Sequence, residues 1–146
     1  MRKLGFYVFL PLLLAFNQGD SIKLEWDFLK KHVVFKEKYK KSVDMLLLYP
    51  TFTEEIKRLN GKKAEIKGYM IESDVSAGIY ILSRYPMAEC YFCGAAGPES
   101  IVEIQLINKQ KRYRTDQVAV VSGTFHVNAN DIEHCNYILK SAVVTE

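Results

Sequence analysis

Cys90 and Cys93 stand two residues apart in "AECYFCGAAGPES" (88–100). At this spacing two thiols can hold one side of a soft metal ion, close a small disulfide, or cycle as a redox couple. Each chemistry asks something different of its surroundings. A structural zinc site needs four ligands, and beyond the pair the soft donors are His32, His126, His134 and Cys135. His134 and Cys135 are the candidates to join Cys90 and Cys93 around zinc or another soft divalent metal. His126 alternates with Phe125 and Val127 and turns towards solvent. A thioredoxin-type couple would put its first cysteine at a helix N-terminus, whereas this chain leads through Gly94, Gly97 and Pro98 towards a strand. A Cys90–Cys93 disulfide would close so short a loop that it removes little chain entropy and mainly fixes the turn. Gly94 and Gly97 permit positive φ or close backbone approach, and free N–H groups in such a loop form an anion-binding nest.

The elements that must hold this loop are mostly of period two. In "AEIKGYMIE" (64–72) Ala64, Ile66, Gly68 and Met70 share one face; in "IVEIQLI" (101–107) Val102, Ile104 and Leu106 oppose Glu103 and Gln105. "GIYILS" (78–83) and "QVAVVSGTFHV" (117–127) are further strand-like runs, and "SAVVT" (141–145) closes the set. Short alternating runs bounded by turn residues predict a small sheet curling on itself, with Gly68 and Gly123 at bends or bulges. Two short helices fit between the strands. "TEEIKRLNG" (53–61) has Thr53 as N-cap, acids first and Gly61 as terminator. "NDIEHCNYILK" (130–140) begins like a capping box, with Ile132, Cys135 and Leu139 on one face, which makes Cys135 a buried core residue in its simplest reading.

Arg2 and Lys3, the apolar run from Leu4 to Phe16 and the polar "NQGDS" have the order of a secretory signal, with cleavage between residues 17 and 20. The run is too short for a spanning helix, so no transmembrane span is expected in the mature chain, and the compartment is the periplasm or the exterior. Removing residues 1–19 takes two of the 20 basic side chains and leaves 18 against 17 acidic ones, a net charge of +1. A chain so near neutrality lacks the basic field of a nucleic-acid binder. Lysines at 36, 38 and 40 alternate with Phe35, Glu37 and Tyr39, and "NKQKRYR" (108–114) reads as an exposed hairpin tip. Both are solvated surfaces that discourage edge pairing, although either can meet an anionic surface or partner.

No "GxSxG", "HExxH" or phosphate loop occurs. "GAAGPES" lacks the third glycine of a dinucleotide fingerprint, and Glu54 and Glu55 read as first-turn helix acids. Hydrolytic catalysis has no support.

The segments "TFTEEIKRLNGKKAEIKGYMI", "YILSRYPMAECYFCGAAGPESIVEI" and "VSGTFHVNANDIEHCNYILKSA" resemble, in order and spacing over roughly residues 24–145, an uncharacterised domain-of-unknown-function family of small exported proteins of Gram-negative bacteria. "LNGKKAEIKGY" and "VAVVSGTF" are similar to the first and fourth strands of OB-like barrels. The resemblance brings no activity with it; it implies that Cys90, Cys93, Gly94, Gly97 and Pro98 form one shared loop. The sequence as a whole predicts a mainly β, closed or partly open OB-like barrel of about five strands with two short helices. It forms a single domain over 20–146, of which 20–52 is an N-terminal extension packed on the barrel. The expected role is an exported binding or accessory module whose partner is a soft metal ion held by the CxxC loop or an envelope protein. A thiol–disulfide redox protein and a pure protein-interaction module with a Cys90–Cys93 staple are the alternatives.

Overall fold

Residues 21–146 are described by the computed structural model; the leader expected over 1–19 and its cleavage point lie outside them. Along the chain run β1 (Ile22–Lys23), α1 (Trp26–Lys31), β2 (Val33–Lys40), β3 (Met45–Phe52), α2 (Glu54–Lys57), β4 (Lys63–Glu72), β5 (Ile79–Ser83), β6 (Ile101–Leu106), β7 (Val118–Val127) and β8 (Tyr137–Val144). Five of the strands close into a barrel. β4 pairs antiparallel with β5 on one edge and β7 on the other, β5 with β6, and β7 with β8. The parallel pair β6–β8 completes the wall, so the order around the barrel is β4-β5-β6-β8-β7 and back to β4. This is the connectivity of an OB-type barrel. β1 adds to β4 in parallel beside Ala64 and Glu65.

The alternation read in the sequence sorts the two faces. Ile66, Met70, Tyr80, Leu82, Val102, Ile104, Val121, Phe125, Tyr137 and Leu139 fill the interior, all of them essentially without exposure. Gly68 sits where backbones crowd: a Cβ there would lie 2.5 Å from the Ser83 carbonyl oxygen and 3.0 Å from Trp26. Gly123 faces an irregularity in β8, against which the register of both β7 and β6 shifts. The extra residue is accommodated at Ser141, whose φ of 49° bends β8 so that it can serve two neighbours.

Two local expectations are corrected. Residues 130–140 are not a helix. Asn128 organises a loop instead: its side-chain amide donates to the carbonyls of Asp131 (2.7 Å), His134 (3.2 Å) and Cys135 (3.3 Å), while its Oδ1 accepts from the Asn130 and Asp131 N–H groups. Such side-chain bonds offer the backbone an alternative to the helix, and the chain is already in β8 at Tyr137. The second helix is α1, in the N-terminal segment, with Asp27 in its first turn, Lys30 and Lys31 in its last, and Leu29 buried. Residues 107–117 are likewise no hairpin tip, because β6 and β7, which they join, are not neighbours in the barrel.

The N-terminal segment is seated by Leu24, Leu29, Val33 and Phe52, which enter the main core. The Tyr137 hydroxyl donates to the Leu29 carbonyl at 2.9 Å and ties α1 to the barrel. β2 and β3 form a separate two-stranded antiparallel hairpin, in which Val33 pairs with Phe52 at the base and Lys40 with Met45 at the far end. Among the described residues no helix is long and apolar enough to cross a membrane.

Candidate functional site

The link from β5 to β6 doubles back over the outer face of the two strands it joins. Three single turns of 3₁₀-helix, Met87–Glu89, Tyr91–Cys93 and Pro98–Ser100, carry it. Under them Ile71, Ile81, Cys90 and Ile101 form a small second core, with Met87, Tyr91 and Cys135 packed at its margin. Cys90 is thus used as a small apolar residue: it has no exposure, and its sulfur lies 3.9 Å from that of Met87. Cys93 is exposed and its thiol donates to the Met87 carbonyl at 2.9 Å. Desolvation, and after it the neighbouring Cys90 thiol, push the Cys93 pKa up. Gly94 follows in the left-handed region, at φ 75°, and ends the turn. Pro98 starts the last turn, and the Ser100 N–H and hydroxyl both bond to the Gly97 carbonyl. The Met87 N–H bonds to Asp116 at 2.7 Å, which pins the front of the loop to the start of the β7 approach.

Two of the N–H groups from which the expected anion nest could be built are already engaged. The Gly94 and Ser100 N–H groups are spent on the Tyr91 and Gly97 carbonyls. The Glu99 carboxylate itself lies against Gly97, where a side chain would stand.

Beside the loop, a carboxylate is sunk into the outer face of β6. Glu103 is 4% exposed and is satisfied by three groups: His134 Nδ1 at 2.9 and 3.0 Å to its two oxygens, the Cys135 N–H at 3.1 Å and the Gln105 side-chain amide at 2.7 Å. A carboxylate in such a place is tolerated only when fully bonded. The result is that the 131–136 loop is held down on β6 and the His134 ring is oriented. His134 remains 39% exposed. Cys135 beside it is pushed up to about 12 by burial and by the Glu103 charge, so its thiol stays protonated.

Between the two loops lies a cleft of about 450 Å³, lined among others by Asp74, Tyr91, Phe92, Pro98, Ile132 and His134. Its floor is the outer face of β5 and β6, from Ile79 and Ile81 to Glu103. A neighbouring hollow of about 350 Å³ shares Tyr91, Pro98, Ile132 and His134 and runs on to Leu46–Pro50 of β3. Phe92 and Ile132 are about half exposed there. A further hollow of about 440 Å³ lies on the opposite side of the 84–100 link, between Trp26, Lys30, Arg84 and the Ala95–Gly97 backbone. Its two basic groups are balanced by Glu89 and Glu99 in the same lining, and Arg84 is paired with Asp27 at 2.7 Å.

The four expected metal donors are not drawn into one ligand shell: among the described residues no three His, Cys, Asp or Glu side chains converge as ligands would. Cys90 is enclosed by the small core and the Cys93 thiol turns to the Met87 carbonyl, while His134 and Cys135 sit on the loop that Glu103 anchors. Cys90, Cys93 and Cys135 are all free thiols. The other two histidines lie elsewhere, His32 against Thr53 (2.8 Å) and tilted against the Phe28 ring, and His126 half-buried in β7. Glu103 escapes a reading of the sequence because an acid opposite Val102 and Ile104 looks like an ordinary solvent-facing strand residue. Only the 131–136 loop, folded across it by Asn128, buries it.

Barrel and cleft together define an OB-type β-barrel whose outer β5–β6 face is enclosed by two loops. Among solved structures the chain is similar to a DUF3299 family protein from Pseudomonas aeruginosa PAO1, with 15% sequence identity over 88% of this chain and 98% of that one and a TM-score of 0.53. At that identity the likeness is one of fold, shared with an uncharacterised protein of a Gram-negative bacterium. No protein-family model and no curated sequence matches the chain.

Proposed function

We propose that the chain is an exported binding module that takes an oligosaccharide in the cleft over β5 and β6. The observation that carries this reading is the combination, in one cleft, of the Tyr91 and Phe92 rings with His134, whose ring is fixed by a buried glutamate. Sugars offer both an apolar face and a ring of hydroxyls. Tyr91 and Phe92 present an aromatic edge for the former; Asp74, His134 and Asn136 present donors and acceptors for the latter. By fold analogy, OB barrels bind oligonucleotides and oligosaccharides on this face and the loops beside it. With a net charge of only +1 once the expected leader is removed, the oligosaccharide is the better match. A thioredoxin-type activity is disfavoured by the raised Cys93 pKa and by the enclosure of Cys90.

The test is titration calorimetry against a panel of neutral and acidic oligosaccharides, with Phe92→Ala and His134→Ala alongside the parent chain. Each substitution is expected to weaken binding about tenfold or more, in keeping with the loss of one stacking or hydrogen-bonding anchor. Absence of binding across the panel, or binding indifferent to both changes, overturns the reading.

A further inference from the structure

Just over half of the large hydrophobic side chains that stand exposed among the described residues lie on the β2–β3 hairpin. Val34, Tyr39, Val43, Met45, Leu46 and Leu48 are all 42–63% exposed. Its two faces have different fates. On one, Val33, Phe35, Pro50 and Phe52 pack towards the barrel at the base, and the same row continues outward through Leu48, Tyr39 and Leu46, about half exposed, of which Leu46 and Leu48 border the hollow beside Tyr91 and Ile132. On the other, Lys36, Lys38 and Lys40 stand in line, paired with Tyr49, Leu47 and Met45, and Lys38 lies 5.6 Å over the Tyr49 ring. Lys41 follows in the turn. Two acids share the hairpin: Glu37 and Asp44, the latter bonded to the Tyr39 hydroxyl.

An apolar end flanked on one side by a row of lysines is the composition of a segment that rests in the headgroup region of an anionic bilayer. The rings and aliphatic chains enter the boundary, while the long lysine stems lie along it and keep their charges at the phosphates. We propose that the far end of this hairpin docks on an anionic lipid surface, with Tyr39, Val43, Met45 and Leu46 entering and Lys36, Lys38, Lys40 and Lys41 meeting the headgroups. Charge decides against a second copy of the chain as occupant, since pairing two such ends face to face would oppose the same four lysines. The proposal is independent of the cleft.

Vesicles of phosphatidylglycerol and of phosphatidylcholine are the probes, with amide hydrogen exchange of residues 39–46 as the local readout in the full chain. Anionic vesicles are expected to protect these amides, phosphatidylcholine to leave them unprotected, and 0.5 M salt to reverse most of the effect. Lys38→Glu with Lys40→Glu is expected to weaken vesicle binding about 30-fold or more, at about 1 kcal/mol per lysine lost from the surface. Val43→Ser with Met45→Ser, neither of which lines a cleft, is expected to weaken it about tenfold. Absence of protection with phosphatidylglycerol overturns the proposal. So does protection equal in parent and variants, or protection that appears without lipid and rises with protein concentration, the mark of self-association.

Discussion

Replacing Glu103 by alanine removes the acceptor on which three donors depend, and the structure allows the cost to be apportioned. The His134 ring is 39% exposed and Gln105 is half-buried, so both can turn to water and lose only the net value of a hydrogen bond. The Cys135 N–H, bonded to Oε2 at 3.1 Å in a half-buried place, has less recourse. An unsatisfied buried donor costs about 1–3 kcal/mol, and hydrogen bonds to a charged acceptor are worth about 1.5–3 kcal/mol each where they are protected. Discounted for the two solvated partners, the sum is about 2–3 kcal/mol for Glu103→Ala, and about 1 kcal/mol for Glu103→Gln, which keeps one carbonyl acceptor. Trp26, the sole tryptophan, reports the transition; its indole is bonded to the Lys67 carbonyl on β4, so its fluorescence follows the docking of α1 on the barrel. In urea the alanine variant should lose about 1–2 M in midpoint. A double-mutant cycle with His134→Ala should return a coupling of about 1 kcal/mol, and amides of the 128–136 loop should exchange faster. A cost under about 0.5 kcal/mol, the range of an ordinary surface substitution, would refute the view that this carboxylate holds the loop down.

Two further outcomes follow from the side chains around the barrel. In the folded reduced protein, iodoacetamide should modify Cys93 alone, slowly below pH 9 because its pKa is raised, and reach Cys90 and Cys135 only on unfolding. Intact mass after extraction without chelator should equal that of three free thiols with no metal. A mass two daltons lighter, or heavier by one metal ion, would instead put Cys90 and Cys93 in a bond or a site. His126 has its pKa lowered, first by desolvation and then by Lys140, so the unfolded chain takes up its proton before the folded one does. Stability is therefore undiminished by this group above the unfolded pKa of about 6.5 and falls as the pH drops below it. The decline in urea midpoint from pH 7 to 5 should be shallower in His126→Gln than in the parent, and parallel declines would remove His126 from the account.

Most of the barrel was legible because each wall strand turns alternate residues inward, and period two survives in the sequence: Val102, Ile104 and Leu106 point inward as their spacing requires, although the outer face of β5 and β6 is covered as well. Gly68 and Gly123 were legible as places of crowding or bending. β3 was not, since "MLLLYPTF" carries apolar residues at nearly every position and its pattern separates no faces. The 130–140 segment carries a fair helical pattern that loses to the five hydrogen bonds of Asn128 with loop backbone, which lies outside the window in which the pattern is read. The CxxC spacing drew attention to thiols, whereas the structure uses Cys90 for packing. The nearby anchor is Glu103, whose environment depends on a loop some 30 residues away in the chain.

The parallel pairing of β6 with β8 bears on the order in which the chain can be completed. β8, the last wall strand in chain order, stands between β6 and β7, so every other wall strand has been made before the gap in the wall can be filled. A nascent chain emerging residue by residue keeps two sheet edges and the inward faces of Phe125 and Ile104 open until β8 appears. Closure of the barrel thus waits on β8, and a chain that stops short of it would be left as an open, edge-bearing sheet prone to aggregation in place of a slightly shortened barrel.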